Sequence, residues 1–389
     1  MNTTLYDIPT LEEERLNCDS DRNRPLSRTV GLLIAEANYA LTRKPPVVTD
    51  KPRAPHSQSF HDYYSVAPYH WPLDKTLDSG KTHEWRDGER IPESKLFSEL
   101  SMPFDRSRLQ LFLDHSTVLS LAWFFTGRQS YLDQVISMTQ AFFLDPDTCM
   151  TPHLRYAQTL VGDPSSEGRW QGLIDFNGLT YFLDAMRILG HYGAMGPRDL
   201  LDLKSWFREL LKWLLESPQG KKARSATNNL GTYFDLTVAA IAEFVGDTQQ
   251  LHAAITRASS RGHAQFSTKG QQPLEGHRTL PLHYSLFNLN AWTGLLRIQS
   301  LTASTELDPM LQQSVVRNAA VWSTKLAGNR SQLSRSDRQL AMVIAQELSV
   351  DHEPTDNLYL QNSLPSRYSG IRPFWNLGFK PVQLNPDKR

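Results

Sequence analysis

Two short stretches carry side chains that could grip an anion and move a proton. In the first, "TNNLG" at residues 227–231, two adjacent amides stand just before a long apolar run at 236–245. A lone Asn there, or Thr227, serves as an ordinary helix cap, its side chain accepting a backbone N–H. Only one side chain can sit at a cap. The second amide of the Asn228–Asn229 pair is then free to point a donor into a cleft, beside a helix N-terminus that itself favours anions. Together they read as a contact for a carboxylate or oxyanion. In the second stretch, residues 272–292, His277, Arg278, His283 and Tyr284 crowd the entry to an apolar helix. Arg278 and Tyr284 lie about 240° apart if one continuous helix carries both. Pro281 suits a first helical turn, which leaves Arg278 in the preceding loop and Tyr284 in the first turn, both able to face one cleft. An interfacial tyrosine with a snorkelling arginine fits the same residues.

The elements that must hold these groups are mostly helices. From about residue 105 onward, apolar residues recur at helical spacing, as in Leu200, Leu203, Phe207, Leu210, Leu211 and Leu214 within 199–215. Similar patterns predict helices over 108–126, 130–144, 172–190, 230–246, 282–302, 309–327 and 335–350. Breaks such as "FTGRQ", "GDPSSEG" and "VGDTQ" separate them. Long helices with short connections favour antiparallel pairs, stacked as a solenoid or closed as an α/α barrel. The absence of a fixed repeat weighs against a regular solenoid. Residues 44–100 break the pattern with seven prolines and "HDYYSVAPYHWP" at 61–72. So long a segment without periodicity is usually functional or disordered. Its Tyr, His and Trp content predicts an ordered wall or lid of a cleft.

Composition narrows the function further. The 389 residues include 41 basic and 41 acidic side chains, a balance that argues against a nucleic-acid or anionic-membrane surface. Two cysteines, Cys18 and Cys149, give no disulfide framework. The twelve histidines show no HxxxH or HExxH spacing, so neither a metal nor another cofactor is expected. The first residues are acidic where a signal peptide needs an apolar core, and no apolar run reaches membrane length. A cytoplasmic protein is expected. Oligomeric state is not readable from the sequence.

Four motifs, "HDYYSVAPYHWP", "GLIDFNGLTYFLDAMRIL", "NNLGTYFDLTVAAIAEFVGD" and "QPLEGHRTLPLHYSLFNL", in this order and spacing, resemble the alginate lyase family. Weaker similarity in "VVTDKPRAP" and "TPHLRYAQ" extends the resemblance over about 30–300. It implies an all-α fold, an α/α barrel (incomplete toroid) of antiparallel helix pairs with a long ordered loop over the cleft. A single such domain over 1–389 is expected, with 44–100 as cleft or lid loop and 351–389 as a tail packing on the barrel. The chemistry implied is β-elimination from uronate polymers. Asn and Arg neutralise the uronate carboxylate, and a His and a Tyr move the protons. Carried over by motif, the amide role falls on Asn228 or Asn229, the Arg role on Arg278 and the Tyr role on Tyr284.

The chain departs from the family in two places. The family's Asn-Asn-His-Gly reads Asn-Asn-Leu-Gly here, so the histidine role falls on Leu230, which cannot carry a proton. The family's Tyr-Trp-Trp-Pro reads Tyr69-His70-Trp71-Pro72, and His70 either supplies a base from the opposite wall or replaces a sugar-stacking ring. His283 is a further candidate base. Substrate contacts are expected from Tyr63, Tyr64, Tyr69, His70, Trp71, Leu230, His277 and His283. The loss of the histidine and the expected location favour a barrel re-used inside the cell on a small, partly apolar carbonyl or carboxylate substrate, for cyclisation, cycloaddition, isomerisation or elimination, plausibly in secondary metabolism. The alternative is a uronate polysaccharide lyase with Tyr284 as both base and acid. A non-catalytic sugar-binding relic is the third reading.

Overall fold

The computed structural model describes residues 4–18, 25–74, 76, 80–163, 165–301, 315–327, 334–350 and 372–382. Its α-helices in chain order are α1 (Ile8–Cys18), α2 (Pro25–Leu41), α3 (Arg106–Thr126), α4 (Gln129–Thr139), α5 (Leu179–His191), α6 (Pro197–Glu216), α7 (Pro218–Arg224), α8 (Asn229–Val245), α9 (Thr248–Gln265), α10 (Pro273–Gly276), α11 (Pro281–Leu301), α12 (Val316–Ala327) and α13 (Arg335–Glu347). Four short strands accompany them: β1 (Tyr64–Val66), β2 (His70–Pro72), β3 (His83–Trp85) and β4 (Tyr156–Thr159).

Burial separates the helices into two layers. In α8, 15 of 17 residues are buried, and in α5, 11 of 13. These helices are apolar nearly all round, as an inner layer demands. In α6 only six of 20 are buried, and they form one stripe. The inner helices α3, α5, α8, α11 and α13 pack each on the next, while α4 lies against α3, α6 and α9 against α8, and α12 against α13. Two-residue breaks join α3 to α4 and α8 to α9, each containing a left-handed glycine, Gly127 (φ 66°) and Gly246 (φ 82°). That conformation ends a helix at little steric cost, and so short a joint forces the next helix to run back. The result is a row of antiparallel helix pairs around one core.

Several expected helices fall where the periodicity placed them. The helix expected over 172–190 is instead a 3-10 segment, Trp170–Phe176, followed by α5. Part of the helix expected over 309–327 lies outside the described residues, as do Tyr359 and Tyr368 of the tail. Within the described part of the tail, Phe374 and Trp375 are buried, and the Val382 N–H donates to the Glu347 carbonyl at 2.8 Å. Helices α1, α2, α7, α9 and α10 lie outside the segments where periodicity predicts helices.

The described residues within 44–100 form a folded wall. Strand β1 runs parallel to β4, and β2 pairs antiparallel with β3. The wall is fastened from beneath. The buried Lys51 ammonium bridges Asp105 at 2.9 Å and donates to the Phe60 carbonyl at 2.6 Å. The Asp175 carboxylate accepts from Tyr63 at 3.0 Å and Ser65 at 2.6 Å. Among the described residues no helix is long and apolar enough to cross a membrane. Cys18 and Cys149 are not joined in a disulfide.

Candidate active site

A cavity of about 650 Å³ lies between the 44–100 wall and the ends of the inner helices. Its lining includes Arg106 at the start of α3, Asn177 just before α5, Asn228 and Asn229 at the start of α8, and His283 and Tyr284 in the first turn of α11. Four helix N-termini therefore face one space, and each presents the positive end of its dipole.

The amide pair divides its work. Asn228 is the N-cap residue in extended conformation, and its side chain makes no capping bond. The cap is supplied from elsewhere. Glu275 accepts the Asn229 backbone N–H at 2.7 Å and the Asn229 Nδ2 at 2.5 Å. Burial pushes the Glu275 carboxyl above its usual range, and the two Asn229 donors oppose that rise. One carboxylate thus completes the helix start and fixes the amide's orientation, leaving a second Nδ2 hydrogen for the cavity. Gly231 follows because a Cβ there would collide with the Ala226 carbonyl and the Arg261 guanidinium. From α9, Gln265 ties the assembly together. It donates to the Thr227 carbonyl at 2.8 Å and accepts from Trp292 at 2.9 Å and Asn288 at 3.0 Å.

Arg278 sits in the loop before α11, and its guanidinium carbon lies 3.6 Å from the centre of the Tyr284 ring. One edge of the guanidinium, Nε and Nη2, is engaged by a carboxylate. Nε lies 3.1 Å from both Asp87 carboxylate oxygens, and Nη2 lies 2.6 Å from one of them. Burial alone would raise the Asp87 carboxyl, yet Arg278 and the Thr279 N–H hold it below its usual range. The Tyr284 hydroxyl donates to the Tyr69 hydroxyl at 3.0 Å. Burial and then Tyr69 raise the Tyr284 phenol above its ordinary range, and Arg278 opposes this without overcoming it. The resting residue is a protonated phenol.

His283 is carboxylate-backed as well. Its Nδ1 lies 2.6 Å from Asp337, which Ser334 anchors at the start of α13. Burial would raise the Asp337 carboxyl, but His283 and Ser334 hold it below its usual range. With Nδ1–H donated to the carboxylate, Nε2 is the basic nitrogen. On the facing wall His70 has Arg169 beside it, with Nη1 at 2.9 and 2.6 Å from the ring nitrogens. Burial, then Arg169 and His83, push the His70 pKa down to about 4, so it is neutral near pH 7.

Of the residues expected to contact substrate, Tyr69, His70, Leu230 and His283 line the cavity, together with Asn228, Asn229, Arg278 and Tyr284. The other four are not among the lining residues. Tyr63 is buried beneath the wall on Asp175. Tyr64 packs edge-on against Phe104. Trp71 lies under the Arg86 guanidinium with its indole N–H donated to the Glu89 carbonyl. Neighbouring strand residues point to opposite faces, so His70 and Trp71 cannot share the cavity. His277 is exposed at the end of α10. Sequence reasoning missed the backing carboxylates Asp87, Glu275 and Asp337, and the lining residues Trp85, Arg90, Arg106, Arg169 and Trp170. The last two fall at the "GDPSSEG" break, where no periodicity points to them. Among the described residues no cluster of His, Cys, Asp and Glu could hold a metal ion.

The profile of the alginate lyase family matches residues 47–303, more than half of the chain. The chain belongs to the alginate lyase family. A crystal structure of an alginate lyase from Bacteroides ovatus is similar over 97% of this chain and 99% of its own, with 26% identity and a TM-score of 0.78. An alginate lyase from Sphingomonas species A1 matches over 90% of this chain and 95% of its own, with 11% identity and a TM-score of 0.45. No curated protein sequence matches significantly. The inner and outer helix layers are thus those of the α/α toroid, and this family member is an enzyme of the lyase class.

Proposed function

We propose that the protein cleaves uronate polymers by β-elimination, with His283 and Tyr284 as its two proton carriers. The observation that carries the reading is the convergence of Asn229, Arg278 and Tyr284 on one cavity in a member of this family. The uronate carboxylate is met by the Asn229 amide and by the surrounding cationic groups, which stabilise the carbanion formed next to it. His283 Nε2 removes the proton from the carbon bearing the carboxylate. The bond from the neighbouring carbon to the glycosidic oxygen breaks as the double bond forms, and the Tyr284 hydroxyl protonates the departing oxygen. A buried, protonated phenol suits the acid role better than the base role. An imidazole backed by Asp337 suits the base role and takes over what Leu230 cannot do.

Leu230 on its own favoured a small, apolar substrate, and family membership supports the polymer instead. The lining agrees with it: Leu230 adds one apolar side chain to a cavity that carries four arginines and faces four helix N-termini. The test is incubation with polymannuronate, polyguluronate and glucuronan while following the ultraviolet absorbance of the unsaturated product. Product from at least one polymer, reduced about a thousandfold in Tyr284→Phe, is expected. No absorbance change with any of the three sinks the reading.

A further inference from the structure

Three of the cavity's four arginines, Arg106, Arg169 and Arg278, are not equivalent, and the fourth, Arg90, lies over the Tyr69 ring. Arg278 gives two of its nitrogens to Asp87, and its face covers Tyr284. Arg106 lies 3.6 Å from Asp175 and 3.3 Å from the Gln110 side-chain oxygen. Arg169 differs. It projects into the cavity just before the Trp170–Phe176 turn, and the one described polar partner of its guanidinium is the neutral ring of His70. Burial lowers its pKa, with no carboxylate among the described residues to offset the cost. A half-buried guanidinium without a counter-ion is costly unless a ligand provides one.

We propose that Arg169, oriented by His70, is the cation that grips a sugar carboxylate in this cavity, a role for which it is better placed than Arg278, whose charge Asp87 already balances. The proposal rests on the uronate reading above. It also gives the His70 departure a purpose. An imidazole accepts an N–H and can hold a guanidinium in place, whereas an indole offers only a donor and would leave it unsupported. Asp87 keeps Arg278 over the Tyr284 ring, so one arginine tunes the proton carrier while the other meets the substrate charge. A planar fork matches a carboxylate through two parallel bonds, and so Lys is a poor replacement.

The experiment uses the full chain carrying Tyr284→Phe, which blocks turnover, with calorimetric titration of a glucuronate trimer, a mannuronate trimer and the carboxyl-reduced, uncharged form of each. At least one charged trimer is expected to bind about tenfold to a hundredfold more tightly than its reduced form. Adding Arg169→Gln should remove that preference, while adding Arg278→Gln should leave it in place. If Arg169→Gln does not fold, Arg169→Lys decides: a loss of threefold or more for the charged trimer alone supports the proposal. Undiminished preference in a folded Arg169 variant overturns it, as does loss of the preference in Arg278→Gln alone. Absence of charge preference in the parent also overturns it. Failure of the lyase reading is seen separately, as no unsaturated product from the wild-type protein. An Arg169-dependent preference in such a protein would leave the carboxylate site standing without the lyase.

Discussion

The two walls of the cavity are built on opposite electrostatic plans. On the α8–α11 side three of the groups that could do chemistry have a carboxylate behind them: Asn229 has Glu275, Arg278 has Asp87 and His283 has Asp337. On the facing side the described polar partner of the Arg169 guanidinium is an imidazole. The first wall is internally compensated, so its groups are held rigidly and carry little unspent charge. The second wall is left with positive charge to spare. On the proposed uronate reading the site needs both properties, and here they occupy different walls. Orientation serves the proton transfers, and excess charge draws the substrate.

If that division holds, removing a backing carboxylate should damage catalysis in proportion to what it holds. The largest effect is expected for Glu275→Ala, which leaves two Asn229 donors unsatisfied at a buried helix start. It should cost about 2–3 kcal/mol in denaturant unfolding and about a hundredfold in turnover. Next comes Asp337→Asn, which frees the His283 ring to take the wrong tautomer. Turnover should fall about tenfold to a hundredfold with little change in the melting temperature. The pH profile sharpens the roles further. With Tyr284 as acid and its pKa raised, kcat should stay level from pH 8 to about 10, because the phenol keeps its proton through that range. A tenfold rise per pH unit there would make Tyr284 the base and displace His283. The smallest effect is expected for Leu230→His, within about threefold of wild type in either direction. A gain of tenfold or more would mean that the vacated position is still aimed at the substrate.

Much of the first wall was legible because it depends on local chain geometry. Pro281 starts α11, so Arg278 and Tyr284 had to fall on either side of a helix start. Asn228 and Asn229 had to precede the apolar run that became α8. The carboxylates behind them were not legible. Asp87 is 191 residues from Arg278, Asp337 is 54 from His283, and Glu275 is 46 from Asn229. Nothing local marks such pairings. Aromatic density in the 44–100 segment predicted a wall but not the direction of its rings. Tyr63 and Trp71 turned to the underside, and Trp85 was overlooked. Helix α9 escaped notice because its buried stripe holds only two large apolar residues, Leu251 and Ile255, and otherwise small or polar ones such as Ala254, Ala258, Ser259, Gly262 and Gln265. Those choices let its neighbours come close, and Gln265 in turn organises the α8 start. The feature that hid the helix is the one that serves the site.

The fastening of the 44–100 segment bears on how substrate arrives. With Tyr63 and Ser65 tied to Asp175 and Lys51 tied to Asp105 and Phe60, the wall stands in place before any sugar enters. No gate at these anchors has to swing for a chain to reach Tyr284. On the proposed uronate reading, capture is then a matter of encounter, quickened by the charge on Arg169 and slowed by added salt. The enzyme's selectivity belongs to the shape it already has.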